Sequence, residues 1–252
     1  MEEEPMSTPR ALVFFFLKMS EIKLILYYYN TMKTLKTLAK WWYKLVRLCQ
    51  DILVPEDIKI QKLLDLPAGT MWELLPKSPV YSKDIFVLFD YHNKIVRLIV
   101  KSIKYKNNAN LRKRIAGYLY EEMVDISSEI ALFEGSPPLL VPMPMSKEEK
   151  RKRGFNQCEE LVREIKKLGG ENIEVSYNIL KKVRETERQT RLSREERMGN
   201  VENSMEATLR QAQGRVIIIL DDVYTTGASL LEARRALLSA GVHRVIGLFI
   251  AH

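Results

Sequence analysis

Cysteine is scarce in this sequence, which contains only Cys49 and Cys158 and no Cys-x-x-Cys pair. A disulfide framework needs several paired cysteines, and a structural zinc site needs closely spaced cysteines or histidines. The sequence therefore predicts neither a disulfide-stabilised domain nor a zinc centre. A reducing compartment is the expected setting, and we expect a cytoplasmic protein.

Long apolar runs are also missing. Residues 11–17 and 22–29 are apolar or nearly so, but charged residues lie between them, and a bilayer-spanning helix needs about 20 apolar residues. The acidic start lacks the basic region of a signal peptide. We expect residues 1–31 to be an unstructured or weakly packed extension, or to precede a true start codon at Met32. A membrane anchor is the less favoured alternative.

The 252 residues carry a formal net charge of +8, and 46% of them are hydrophobic. This content supports a packed core, and the charge favours anionic partners such as phosphorylated metabolites, nucleic acid or a membrane surface. Within residues 32–84, apolar spacing over 33–53 predicts a basic amphipathic helix, followed by a proline-containing connector with one short helix. Packing of this helix on the protein body is favoured over peripheral membrane contact through residues 11–53.

From residue 85 onward, apolar runs typical of strands alternate with amphipathic helical patterns. Predicted strands lie at 85–91, 139–141, 173–175, 216–220 and 245–250. Helical stripes lie between them, and Asn107-Asn108 separates two successive helices. The alternation predicts an α/β domain over residues 85–252, with a central, mostly parallel sheet flanked by helices.

The most informative segment is VIIILDDVYTTGAS, residues 216–229. Its five apolar residues predict a strand buried on both faces, and Asp221 and Asp222 follow at the carboxyl end. The next loop opens a helix, where backbone N–H groups and the helix dipole favour an anion. The candidate phosphate-binding residues are Thr225, Thr226, Gly227, Ala228 and Ser229. Because carboxylates accept hydrogen bonds from sugar hydroxyls or help hold Mg²⁺, the segment suits a ribose 5-phosphate.

A second segment, VPMPMSKEEKRKRGFNQ at residues 141–157, predicts a strand, a charged loop and a helix that starts near Asn156. Cations beside a helix N-terminus suit a pyrophosphate. The candidate residues are Arg151, Lys152, Arg153 and Gly154. A third stretch, residues 181–197, is also rich in charge, and on its own it favours a solvent-exposed helix with charge pairs four residues apart.

Together these motifs resemble those of a known family. Residues 216–229 are similar to the phosphoribosyl pyrophosphate (PRPP) motif of type I phosphoribosyltransferases. Residues 86–252 as a whole resemble the competence-associated ComF family. The further motifs that carry this resemblance are Arg153-Gly154-Phe155-Asn156-Gln157, residues 184–201 and the Lys104-Tyr105 pair. Many members carry an N-terminal four-cysteine zinc module, for which this chain lacks the cysteines.

The resemblance implies a type I phosphoribosyltransferase fold with an N-terminal helical extension, PRPP as ligand, Mg²⁺ bound with it and no zinc. It implies that residues 225–229 hold the 5-phosphate and that Asp221 and Asp222 hold the ribose hydroxyls, contacting Mg²⁺ indirectly. The cations near Arg153 would take the pyrophosphate. The resemblance also makes residues 181–197 a flexible loop over the ligand, an interpretation weighted equally with the exposed helix. The candidate loop residues are Arg188, Gln189 and Arg191.

Three functional classes follow. The first is a Mg²⁺-dependent phosphoribosyltransferase, a glycosyltransferase whose acceptor is unknown. Thr225 stands where purine-salvage members carry an aspartate, which argues against purine salvage. The second is a non-catalytic module of DNA uptake that retains the phosphate site, with single-stranded DNA or the competence machinery as partner. The third is a membrane-attached adaptor that uses the N-terminal segments.

Overall fold

The computed structural model describes residues 56–79, 82–184, 202–208 and 213–252, together with Trp42. The extension 1–31, the helix predicted over 33–53 (Trp42 apart) and the loop residues Arg188, Gln189 and Arg191 lie outside the described residues. Residues Glu56–His252 form one compact unit, which begins earlier than the domain predicted from residue 85.

A five-stranded parallel sheet forms the centre of this unit. The strands of the described residues are β1 (Ile85–Phe89), β2 (Leu139–Pro142), β3 (Glu174–Val175), β4 (Leu180–Lys182), β5 (Met205–Ala207), β6 (Val216–Val223) and β7 (Arg244–Ala251). The sheet has the order β1-β7-β6-β2-β3, and all four of its pairings are parallel. The predicted α/β fold with a central parallel sheet is therefore confirmed.

Seven α-helices accompany the strands in the described ranges. They are α1 (Glu56–Leu64), α2 (Ala68–Leu74), α3 (Lys94–Lys106), α4 (Ala109–Glu134), α5 (Lys147–Arg153), α6 (Gln157–Gly169) and α7 (Ala228–Ser239). Helices α3, α6 and α7 contact the strands of the sheet, and α4 packs against α6. Where one short helix was predicted before residue 85, the structure has two, and Ile60 and Met71 place both in the common core.

Local sequence signals explain the helix ends near the sheet. Asn93 caps α3, and its side chain accepts hydrogen bonds from the backbone N–H groups of Ile95 and Val96. Asn107 adopts a left-handed conformation, and Asn108 caps α4, so the predicted break between two helices is confirmed. The last turn of α3 lies at the carboxyl edge of the strands, where Lys104 contacts Asp222.

The charged segment after β2 was predicted as a loop, and this prediction was wrong, because residues Lys147–Arg153 form helix α5. Ser146 accepts a hydrogen bond from the backbone N–H of Glu149 and caps the helix. The first turn is acidic and the last turn is basic, as the helix dipole favours. Gly154, with a φ of 86°, then ends the helix and allows Asn156 to cap α6.

Strands β4 and β5 form a separate antiparallel pair outside the main sheet. The pair is fixed to α7 by Glu232, whose carboxylate accepts a hydrogen bond from the backbone N–H of Met205 at 3.0 Å and pairs with Arg235. Within the described ranges, no helix is both long enough and apolar enough to cross a membrane.

Candidate functional site

A cleft of about 860 Å³ lies at the carboxyl ends of β2, β6 and β7. Ligands of parallel α/β sheets usually bind at this edge, because loops and helix N-termini converge there. The cleft contains residues from each of the two main predicted motifs. Its polar lining includes Lys104, Lys152, Arg153, Gln157, Lys182, Asp221, Asp222, Thr225 and Ser229.

Asp222 is the more enclosed member of the acid pair, with 5% of its surface exposed. Lys104 Nζ lies 2.9 Å from Asp222 Oδ2 and 3.3 Å from Oδ1. Gln157 Nε2 donates a second hydrogen bond to Oδ2 at 2.8 Å. Asp222 therefore joins α3, α6 and β6 through one carboxylate.

Asp221 has a different environment. Its Oδ1 accepts hydrogen bonds from the backbone N–H of Asp222 at 2.8 Å and from the thiol of Cys158, whose Sγ lies 3.4 Å away. Burial, and after it the negative charge of the neighbouring Asp222, raise the pKa of Asp221 from 3.8 to about 7. Near neutral pH, the free site therefore holds Asp221 between its protonated and ionised forms.

Burial and neighbouring charges also determine the protonation states of Lys104 and Cys158, and therefore their chemical roles. Burial lowers the pKa of Lys104, but the attraction of Asp222 outweighs it, and the pKa ends above its ordinary value. Lys104 is therefore a permanent cation and not a general base. Burial, and then Asp221 and Asp222, raise the pKa of the Cys158 thiol. The thiol stays protonated, so it acts as a hydrogen-bond donor and not as a nucleophile.

The predicted phosphate loop follows β6 and opens α7. Gly227 has a φ of 77° and occupies the N-cap position, and no side chain there caps the helix. Thr226 Oγ1 accepts a weak hydrogen bond from the backbone N–H of Ala228 at 3.4 Å. Four of the five predicted residues line the cleft, and Thr226 does not. The start of this helix thus offers backbone N–H groups and hydroxyls to an anion.

The predicted pyrophosphate cations divide into two groups. Lys152 and Arg153 line the cleft, whereas Arg151 and Gly154 do not. The Arg153 guanidinium donates a hydrogen bond to Gln157 Oε1, and it lies over the ring of Tyr105 at 5.4 Å from the ring centre. Lys152 forms an ion pair with Glu148. The sequence thus indicates the correct segment, but the fold directs only part of it toward the cleft.

Other residues of the cleft were not assigned a role from the sequence. Lys104 was noted as part of a motif, yet its contact with Asp222 joins residues 118 positions apart. Gln157 was noted at the end of the Arg-Gly-Phe-Asn-Gln motif, and Lys182 lies on β4. Cys158 was considered as a possible disulfide or zinc residue and as part of the apolar stripe of a helix, but not as part of this site. The signal in the sequence for its place in the site was its position directly after Gln157, the last residue of that motif.

The acid pair does not by itself form a magnesium cage. In the part of the chain that the structure describes, no group of three His, Cys, Asp or Glu residues could hold a metal ion. Asp222 is already bound to Lys104 and Gln157. Mg²⁺ prefers several oxygen ligands and usually keeps water among them. The residues therefore fit only a cation that is held mainly by a bound phosphate ligand and by water.

Comparisons with known proteins give no matching family model, but they give several curated relatives. Competence protein F of Haemophilus influenzae is 26% identical over 174 residues, which cover 68% of this chain and 73% of that protein. Competence protein ComFC of Bacillus subtilis is 36% identical over 103 residues, which cover 41% of this chain and 39% of that protein. DNA utilization protein YhgH of Salmonella typhi is 28% identical over 180 residues, which cover 71% of this chain and 75% of that protein.

Among solved structures, a hypoxanthine phosphoribosyltransferase from Staphylococcus aureus overlaps 53% of this chain and 62% of its own. The TM-score is 0.32 and the identity is 12%. The curated relatives share the competence-associated family that the motifs around Arg153 and Asp221 indicate. These relatives support the resemblance to the ComF family that the motifs predict.

Proposed function

We propose that this protein binds PRPP in the cleft and transfers its phosphoribosyl group, with Mg²⁺, to an acceptor that the sequence does not identify. The observation that carries the proposal is the acid pair directly before the N-terminus of α7, with Lys152 and Arg153 lining the same cleft. This combination supplies groups of the correct charge for each part of the ligand.

Each part of PRPP would meet a different set of residues. The N-terminus of α7, with Thr225 and Ser229, would hold the 5-phosphate. The acid pair would supply a carboxylate oxygen that accepts a hydrogen bond from the ribose hydroxyls. Lys152 and Arg153 would neutralise the pyrophosphate, and Mg²⁺ bound with the ligand would supply further positive charge there.

The reaction itself would exchange one bond at C1 of the ribose. The bond from C1 to the pyrophosphate oxygen breaks, and its electron pair leaves with pyrophosphate. The acceptor forms the new bond to C1 and loses a proton to solvent or to a nearby base. The protein's contribution would be to hold the sugar in line and to stabilise the leaving charge, which are effects of position and electrostatics.

Titration calorimetry with PRPP and Mg²⁺ tests the binding. We expect wild type to bind, and the double variant Asp221→Asn/Asp222→Asn to bind at least about 10-fold more weakly, because charged hydrogen bonds to the sugar are lost. The double variant Asp65→Asn/Asp125→Asn makes the same charge change at exposed positions outside the cleft and should bind like wild type. Absence of binding by wild type, or equal binding by all three proteins, would contradict the proposal.

A second candidate function is a non-catalytic module for the uptake or use of DNA. It is supported by the names of the relatives, which refer to competence and DNA utilization, and by the net charge of +8. Incubation with PRPP and a panel of bases distinguishes the two functions, because only a transferase releases pyrophosphate.

Measurement of the affinity for single-stranded DNA at two salt concentrations then tests whether the protein is a DNA-binding module, since contacts with DNA phosphates weaken as the salt concentration rises.

A further inference from the structure

We propose that the two aspartates of the cleft have different tasks. Asp222 is a positioning residue that Lys104 and Gln157 hold in place, and Asp221 is the acid that offers an oxygen to the sugar. The inference rests on the proposed ribose-phosphate site and adds to it a specific assignment for each carboxylate.

The contacts of Asp222 leave little capacity for a ligand. Lys104 lies within hydrogen-bond distance of both of its oxygens, and Gln157 donates to Oδ2. Asp222 is also among the buried polar residues. These three contacts use most of the roughly four acceptor positions of a carboxylate, and a hydroxyl that displaced the ammonium group would break a buried ion pair, which is strongly unfavourable. Asp222 is thus occupied by the protein itself.

Asp221 faces the cleft and is more exposed than Asp222. Both of its hydrogen bonds, from Cys158 and from the backbone of Asp222, reach Oδ1. Among the described residues, none donates a hydrogen bond to Oδ2. A carboxylate that is fixed through one oxygen and open at the other is well arranged to accept a hydrogen bond from a sugar hydroxyl.

A chain of side chains extends this arrangement toward the cations. Gln157 Oε1 accepts a hydrogen bond from Arg153, so its amide nitrogen is directed to Asp222. The amide orientation is the one that satisfies both neighbours. Arg153, Gln157, Asp222 and Lys104 therefore form one connected group. This group links the cation predicted for pyrophosphate to the acid pair, without contact between Arg153 and Asp221.

The test compares ribose 5-phosphate with inorganic phosphate by calorimetry. Inorganic phosphate has no sugar hydroxyls, so the affinity for ribose 5-phosphate divided by the affinity for inorganic phosphate measures sugar recognition. We expect Asp221→Asn to lower this ratio by about 10-fold and Asp222→Asn to change it by less than about 3-fold. Both variants remove one negative charge from the same site, and any general gain in phosphate affinity cancels in the ratio.

A thermal-denaturation cycle tests the positioning role without any ligand. Lys104→Met should lower the melting temperature by roughly 5 °C, because Asp222 is left buried without its cation. Adding Asp222→Asn to Lys104→Met should recover most of that loss. The matched control is the exposed ion pair between Lys101, which lies on α3 like Lys104, and Glu56 on α1, whose charged atoms are 2.8 Å apart. In this pair, the effects of Lys101→Met and Glu56→Gln on the melting temperature should show no coupling.

The outcomes separate the two proposals. An equal fall of the affinity ratio in Asp221→Asn and Asp222→Asn would overturn the division of tasks while leaving the site intact. If wild type binds neither ribose 5-phosphate nor PRPP, the proposed function is wrong. The absence of recovery in the Lys104→Met/Asp222→Asn double variant would independently overturn the positioning role of Asp222.

Discussion

Gly227 lies against Tyr224, so closely that a Cβ added to Gly227 would lie 2.8 Å from the phenol oxygen. Tyr224 cannot easily move away, because its ring is 5.0 Å from Phe249 and 5.5 Å from His252, measured between ring centres. Gly227 also has a φ of 77°, a conformation that side chains disfavour. The candidate phosphate loop is thus packed directly on the residues at the end of β7.

Gly227→Ala should destabilise the protein and weaken phosphate binding together. The left-handed conformation alone costs roughly 1–2 kcal/mol for a residue with a Cβ, and the contact with Tyr224 adds to it. Urea denaturation measures the first effect, and calorimetry with inorganic phosphate measures the second.

Gly135→Ala is the matched control for this prediction. Gly135 has a φ of 70°, but nothing lies within 4 Å of its added Cβ, and it ends α4 outside the cleft. It should show only the conformational cost and normal phosphate affinity. Equal destabilisation by the two variants would show that the Tyr224 contact is unimportant.

The raised pKa of Asp221 predicts a particular dependence of stability on pH. Between its ordinary value of 3.8 and about 7, the folded protein keeps a proton that the unfolded chain has lost. The contribution of Asp221 to the free energy of unfolding therefore falls as pH rises through this window and is constant above it. Asp221→Asn removes the effect, so the melting temperature of the variant relative to wild type should rise from pH 5 to about pH 7 and stay constant above it.

Asp125→Asn provides the comparison, because Asp125 is exposed and does not line the cleft. Its difference from wild type should stay constant over the same pH range. A constant difference for Asp221→Asn as well would mean that Asp221 is ionised throughout and that its burial is not the dominant influence.

Glu232→Ala should loosen the β4–β5 pair. Glu232 is 4% exposed and accepts a hydrogen bond from the backbone N–H of Met205, which would be left unsatisfied. An unsatisfied buried donor costs about 1–3 kcal/mol, and we expect a loss of this size in urea denaturation, with faster amide exchange in β5.

Glu174→Ala serves as the control for the loss of an ion pair alone. Glu174 pairs with Arg215 at 2.6 Å, but its side chain is 54% exposed, so the cost should be below about 1 kcal/mol. If Glu174→Ala were as damaging as Glu232→Ala, the buried contact with Met205 would not explain the stability.

Local patterns were sufficient for the five strands of the main sheet and for most helix ends, but not for β4 and β5. The apolar run before Asp221 predicts β6, and the two asparagines at 107 and 108 predict the break between α3 and α4. Helix α5 was missed because its charge run resembles a solvated loop, although Ser146 and the order of its charges are helix signals.

Contacts between distant residues could not be predicted in this way. Lys104 and Asp222 are 118 positions apart, and Gln157 and Asp222 are 65 apart. Hydrophobic periodicity places each of them on an element, but it does not fix which turn of α3 or α6 meets the end of β6. The acid pair was therefore predicted as one unit, whereas its two members have different partners.

The order of the sheet has a consequence for biosynthesis. Strand β7, the last of the described strands, lies between β1 and β6, so β1 has no partner in the sheet and β6 has only β2 until β7 has left the ribosome. During that interval the nascent chain presents two unpaired strand edges. Overproduction at lower temperature or with a chaperone should therefore increase the yield of native protein, and fragments that end before Arg244 should accumulate as aggregates.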